Sequence, residues 1–133
     1  MSKLIDKIAL IYVKDGKILS SRSQGKDTFY IPGGKREGQE TDVETLTREI
    51  KEELSVDILP ETIAFYGVFS AQAHGHAEGI LVQMTCYTAE FTGQLQADHE
   101  IAEIRWLSYK DAAISSPVDK LIFADLHQKG LLQ

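Results

Sequence analysis

Glu49, Glu52 and Glu53 crowd into one short stretch, Arg48-Glu49-Ile50-Lys51-Glu52-Glu53-Leu54. On a helix these positions fall within one turn and on one face, because side chains three and four apart are neighbours. Two carboxylates ~6 Å apart repel by about 3 kcal/mol at an effective dielectric near 20. A cluster withdrawn from water must therefore be protonated or bridged by a cation, and hard oxygen donors select Mg²⁺ or Mn²⁺. Such a cation can neutralise phosphate oxygens and orient an attacking water, which is the chemistry of phosphoanhydride hydrolysis. Taken alone, the same residues are also what a solvated acidic face looks like, with Arg48 and Lys51 as ordinary surface charge.

A helix must position these side chains, and the spacing predicts one over Thr41–Leu54. Val43, Leu46, Ile50 and Leu54 recur as a narrow apolar stripe expected to be buried, with the glutamates beside it. Thr41 followed by Glu44 reads as a capping box. Upstream, Lys7–Val13 is apolar and β-branched, Asp15-Gly16 offers a hairpin turn, and Ile18–Arg22 reads as the returning strand. Ser23–Thr28 is a polar loop, and Phe29-Tyr30-Ile31 is extended ahead of Pro32.

Downstream, strand-like runs cover Ile63–Ser70, Ile80–Phe91 and Glu103–Leu107, with a turn at Thr92-Gly93. A second helix starts at the cap Ser116 with Pro117 first and Asp119 three after the cap. Val118, Leu121, Ile122 and Leu126 should face inward, and Gly130 should end it. Trp106 reads as core. Strands on either side of a central helix, plus a terminal helix, predict an α/β fold: a mixed β-sheet with helices on both faces.

At 133 residues, 43% hydrophobic and 26% charged, the chain suits one globular domain spanning 1–133, with no repeat or linker. The net charge of −6 argues against a nucleic acid duplex as partner, where a basic face is expected. No apolar run approaches the ~20 residues of a membrane span, and the first residues lead into no signal-peptide pattern. The single Cys86 lies in a strand-like run and reads as a buried thiol, which fits a reducing cytoplasmic setting. Gly33-Gly34-Lys35-Arg36 does not supply a G-x-x-x-x-G-K-[ST] phosphate loop. Asp98-His99-Glu100 has no partnered serine and supports no hydrolytic triad.

Gly34, five residues, Glu40, seven residues, then Arg48-Glu49-Ile50-Lys51-Glu52-Glu53-Leu54-Ser55-Val56 resembles the Nudix box, G-x5-E-x7-R-E-U-x-E-E-x-G-U, where U is a bulky aliphatic residue. Only Ser55 departs, where the family has glycine. The preceding Phe29-Tyr30-Ile31-Pro32-Gly33-Gly34 resembles the family's aromatic-x-x-Pro-Gly-Gly segment. Arg22 and the Glu100…Glu103…Trp106 pattern also have counterparts, so the likeness runs from about residue 7 to 127.

The resemblance implies a Nudix-type α/β/α sandwich and metal-dependent hydrolysis of a pyrophosphate bond in a nucleoside diphosphate-linked substrate. Glu49, Glu52 and Glu53 would bind Mg²⁺ (or Mn²⁺), with the Gly34 carbonyl and Glu100 as further candidate ligands. Glu49 or Glu53 could instead act as base. Arg48 would hold a carboxylate in place, Glu40 would pair with it or serve the helix N-terminus, and Gly33 would allow the turn. Arg22, Lys35 and Tyr30 are candidate substrate contacts, with core packing expected for at least one of Phe29 and Tyr30. His74 and His76 read either as a polar loop or as part of the substrate site. Ser55 is expected to be locally strained, without loss of catalysis.

A small nucleotide such as a nucleoside triphosphate is the favoured substrate. ADP-ribose, a dinucleoside polyphosphate and a non-catalytic nucleotide-binding module remain alternatives, and the protein could be monomer or homodimer.

Overall fold

Unbroken burial along Ile8–Ile11 and alternating burial along Ile80–Thr88 fix the centre of the molecule. The structure, a computed structural model, describes residues 3–133. The strands are β1 (Lys3–Ile11), β2 (Val13–Lys14), β3 (Lys17–Ser23), β4 (Gly33–Lys35), β5 (Asp57–Ile58), β6 (Ala64–Gln72), β7 (Ile80–Thr88), β8 (Phe91–Thr92) and β9 (Ile101–Leu107). Helix α1 (Asp42–Leu54) follows β4, and α2 (Pro117–Gln128) follows β9.

Four strands form a sheet in the order β4-β1-β7-β6, in which β1 and β7 run parallel and the other pairs antiparallel. A second sheet, β2-β3-β9, is antiparallel. The hairpin turn puts Asp15 and Gly16 at φ 53° and 77°, as a tight two-residue turn requires. Because side chains alternate along a strand, each face of the mixed sheet takes its own helix. Leu46, Ile50 and Leu54 of α1 pack on Ile8, Leu10 and Leu19. Val118, Ile122, Phe123 and Leu126 of α2 pack on Ala9, Ile11, Val82, Met84 and Cys86. The expected α/β/α sandwich is what forms. Truncating one such side chain to alanine removes about 2–5 kcal/mol.

The capping box is present: Glu44 N–H donates to Thr41 Oγ1 at 3.2 Å, and Thr41 N–H donates to Glu44 Oε1 at 2.8 Å. Two stripe residues are corrected. Val43 is 41% exposed, since in the first turn of α1 it clears the sheet that Leu46, Ile50 and Leu54 meet. Leu121 is 47% exposed, one residue (about 100°) off the row formed by Val118, Ile122 and Leu126. Trp106 is half-buried, with its ring 6.0 Å from that of Tyr12 at the rim of the core. The sequence run Ile80–Phe91 is two strands broken at Ala89-Glu90, and Gly33–Lys35 is a strand rather than only a turn.

Ser55 ends α1 at φ 64°, ψ 24°, the left-handed conformation that glycine adopts freely. Its Oγ donates to the Gln96 carbonyl at 3.1 Å, an exposed bond of small net value. Ser55→Gly should therefore raise stability by up to about 1 kcal/mol. A urea midpoint that falls instead would show that the Gln96 bond outweighs the strain.

Candidate active site

The turn into β4 brings main chain hard against α1. Gly33 has φ 147°, and a Cβ there would overlap the Ile8 carbonyl oxygen across the β1–β4 ladder. Its N–H donates to Glu53 Oε1 at 3.1 Å. A Cβ at Gly34 would run into the Glu49 carboxylate. A side chain at Gly33 would meet the backbone of β1, whereas one at Gly34 would meet the movable Glu49 carboxylate.

Helix α1 presents its acids unequally. Glu53 is only 9% exposed, and burial pushes its carboxyl up to about 8. Glu49 and Glu100 push in the same direction, while the Gly33 N–H and Lys7 oppose them. Glu49 is also raised, first by burial and then by Glu52 and Glu100, against the pull of Arg48. The Glu52 side chain is 43% exposed and lies off the cavity wall.

Arg48 organises this cluster. Its Nε and Nη2 grip both Glu40 carboxylate oxygens at 2.8 and 2.9 Å, and its Nη1 donates to Glu49 Oε1 at 2.9 Å. Nη1 stands 3.6 Å from Glu52, and Nη2 donates to the Lys35 carbonyl at 3.2 Å. This two-pronged grip holds Glu40 down at about 2. A planar fork joining three acids to the β4 backbone is a positioning device that lysine could not reproduce.

Glu53, Glu100, Gly33 and Gly34 line a cavity of about 210 Å³. A second cavity of about 540 Å³ shares Lys7, Tyr30 and Met84 with it. Lys7, Lys26 and Lys35 face the larger space with Asp27 as its only acid among the described residues, the reverse of the chain's overall sign. Tyr30, His74 and His76 line it too, and His74 Nε2 lies 3.2 Å from Thr28 Oγ1. Phe29 is instead core, with the Arg105 guanidinium 4.7 Å over its ring. Arg22 is drawn to Glu103 at 3.3 Å and to the Lys26 carbonyl at 2.9 Å, outside the lining of either cavity.

Two residues escaped the sequence reading. Lys7 interrupts the apolar face of β1, Ile5-x-Lys7-x-Ala9, and that interruption was the available signal. Its ammonium lies 5.4 Å from the Tyr30 ring centre. Asp119, read only as a capping-position acid, is fully buried. Its Oδ2 accepts from Ile31 N–H at 2.9 Å, and its Oδ1 has no partner among the described residues. Burial pushes it up to about 7.

As they stand, no three His, Cys, Asp or Glu side chains among the described residues close around a common point tightly enough to hold an ion. The donor chemistry nevertheless fits a hard divalent cation. Glu53 is a buried carboxylate that no ion pair reaches among the described residues, Glu49 is a half-buried one held on one side by Arg48, Glu100 adds to their repulsion, and the Gly34 main chain adjoins Glu49.

A two-faced α/β/α sandwich whose glycine turn abuts an acidic helix defines a recognisable class of enzyme. The family model of the NUDIX domain matches residues 6–126. Over 115 residues the chain is 30% identical to the CTP pyrophosphohydrolase of Escherichia coli strain K12, spanning 83% of this chain and 80% of that protein. The solution structure of the E. coli ORF135 protein superposes with a TM-score of 0.74 at 26% identity, covering 96% of this chain and 91% of that one. The MutT protein from Methanosarcina mazei Go1 shares the fold, with a TM-score of 0.75 at 16% identity over 97% and 96% of the two chains. The chain belongs to the Nudix family. It is a Nudix hydrolase, an enzyme of the pyrophosphohydrolase class.

Proposed function

We propose that the protein hydrolyses a pyrophosphate bond in a small nucleoside triphosphate, assisted by Mg²⁺ or Mn²⁺, with CTP the first substrate to test. The observation that carries this reading is the junction of two unlike cavities. The buried Glu53 and the exposed Glu100 line one, with Glu49 adjoining, and lysines face the other across the shared Lys7 and Tyr30. A polyphosphate needs both signs: cations of the protein on its outer oxygens, and a metal-binding acid cluster at the bond that breaks. The size of the larger cavity suits a nucleotide, since small-ligand sites run to about 300–1,000 Å³. The relative named for CTP supports the choice of base.

Glu49 and Glu53, with the Gly34 carbonyl, would hold the cation, and Glu100 and Glu52 are additional donors within reach of the cluster. Bound there, the cation would supply charge neutralisation and a more acidic water. Arg48 positions Glu49, and Glu40 in turn fixes Arg48. Lys7 and Lys35 face phosphate oxygens, with Arg22 joining them only by leaving Glu103. Tyr30 offers its ring to the base. Water adds to one phosphorus, the bridging P–O bond breaks, and the departing phosphate keeps the bridging oxygen.

The test is a panel of CTP, dCTP, the other nucleoside triphosphates, ADP-ribose and a dinucleoside polyphosphate, each with Mg²⁺ or Mn²⁺. Product masses and phosphate release would be read for each. CTP is expected to give CMP and pyrophosphate with the highest kcat/KM. Preference for ADP-ribose or the dinucleotide would overturn the triphosphate reading, and inertness toward all of them would overturn catalysis on nucleotides.

A further inference from the structure

We propose that two copies of the chain associate through the edge strand β6, running antiparallel across a two-fold axis, with the uncovered half of the mixed sheet packed alongside. Strand β6 is the outer member of the β4-β1-β7-β6 sheet. Among the described residues, no backbone hydrogen bond of Phe65–Ala71 leads anywhere except to β7. One side of this nine-residue strand therefore presents a row of unpaired N–H and C=O groups, a template for another strand.

The face above it is equally bare. Helix α1 covers β1 through Ile8 and Leu10 and does not extend over the β6 side of the sheet. The ladder sets Leu4 opposite Leu81, Val68 opposite Thr85, and Phe65 opposite Tyr87, so these side chains share one face. On that face Phe65 is 63% exposed, Leu4 54% and Val68 51%. Phe65 stands edge-on to Tyr87 with ring centres 5.8 Å apart, a rigid aromatic knob held out to solvent.

Monomeric proteins blunt such an edge with lysine, proline or an inward charge. Here β6 reads Ala-Phe-Tyr-Gly-Val-Phe-Ser-Ala-Gln and β7 reads Ile-Leu-Val-Gln-Met-Thr-Cys-Tyr-Thr. Neither carries a charged side chain or a proline, in a chain that is 26% charged. That neutrality identifies the occupant. Each copy carries a net charge of −6, so two copies meet most readily where unpaired like charges are absent. A basic partner would be matched by free acids here; β6 and β7 carry none, and Asp6 of β1, on the same face, is already engaged by Arg36 at 3.0 Å. A two-fold interface must also be self-complementary, which an antiparallel strand paired with its own copy is by construction. Val68 is the middle residue of β6, so an axis there sets the two copies of Val68 beside each other. A single strand with its flanking face is a small interface beside the ~800 Å² per partner of a standard one, so association is sought over a range of concentrations.

Sedimentation velocity from ~1 to ~100 µM tests this, with hydrogen exchange measured at both ends of the range. The expected result is a monomer–dimer equilibrium, with β6 amides exchanging more slowly at the high concentration. Val68→Lys and Val68→Glu, at a half-exposed position away from both cavities, should each weaken the dimer about tenfold or more with melting temperature and hydrolysis unchanged. Mixing the two variants should restore association, because the axis then sets opposite charges together. A protein that sediments as monomer throughout would overturn the proposal. So would a dimer that Val68→Lys leaves intact, or β6 amides protected by some other partner while the chain itself stays monomeric.

Discussion

Glu53→Gln should lower hydrolysis on the order of 10³-fold while making the metal-free protein more stable at pH 8. The substitution keeps length, shape and an oxygen that can still accept the Gly33 N–H at 3.1 Å. What it removes is the charge of a carboxylate that burial holds up at about 8, against an ordinary 4.5. Because the folded value is the higher one, the native state keeps a proton that the unfolded chain releases. The stability this contributes is complete below about 4.5 and is lost as pH rises through about 8. Asp119 adds a slope of the same sign between 3.8 and about 7. The parent protein without metal should thus melt progressively lower from pH 5 to pH 9. The Glu53→Gln form should show a shallower fall, retaining the part that belongs to Asp119. Mg²⁺ should raise the melting temperature of the parent at pH 8 and that of the variant far less, since a ligand stabilises only the state that binds it. Equal responses to Mg²⁺, or near-full hydrolysis by the variant, would remove Glu53 from the metal site.

Gly34→Ala should be nearly as damaging to turnover with almost no effect on folding. The backbone at Gly34 does not adopt a positive φ, so alanine is compatible with it, and the added methyl group meets only the Glu49 carboxylate. That carboxylate is pinned from the other side by Arg48 Nη1 at 2.9 Å. It must swing away, and a misplacement of about 1 Å at a reacting centre is worth on the order of 10²-fold in rate. The expected outcome is a kcat lower by about that factor, with the unfolding free energy from urea titration changed by less than about 1 kcal/mol. Combining Gly34→Ala with Glu49→Gln should be little worse than the poorer single variant, because both act through the same carboxylate. Additive losses would mean that Gly34 acts through something other than Glu49.

The sequence made α1 and its acids legible because local rules and tertiary demands agree there. The cap residues Thr41 and Glu44, the buried Leu46, Ile50 and Leu54, and the Gly33-Gly34 turn each have a short-range signature. The resemblance left Glu40 either serving the helix N-terminus or pairing with Arg48, and the ion pair is what forms. Other features depend on what lies across the molecule. Whether Val43 is covered turns on where the sheet stops beneath α1, which no periodicity encodes. The unequal exposure of Glu49, Glu52 and Glu53 follows from how the β4 main chain leans on one end of their face. Lys7 and Asp119 lie more than one hundred residues apart in sequence and matter only because β1 and α2 meet behind Tyr30. Arg22 showed the limit of reading a role from position alone, since Glu103, opposite it in the β3–β9 ladder, already engages it.

The lone thiol of Cys86 gives the molecule a built-in clock. It is fully buried on β7 between β1 and β6, and burial pushes it up to about 12, so it is inert to maleimides and disulfide reagents while the sheet is closed. Modification then requires β7 to come out from under α2, an opening as large as unfolding itself. With reagent in excess, the rate at which label appears reports how often the sheet opens. A nucleotide or metal ion that binds the closed protein should slow that rate in proportion to its occupancy, giving a binding assay that needs no turnover.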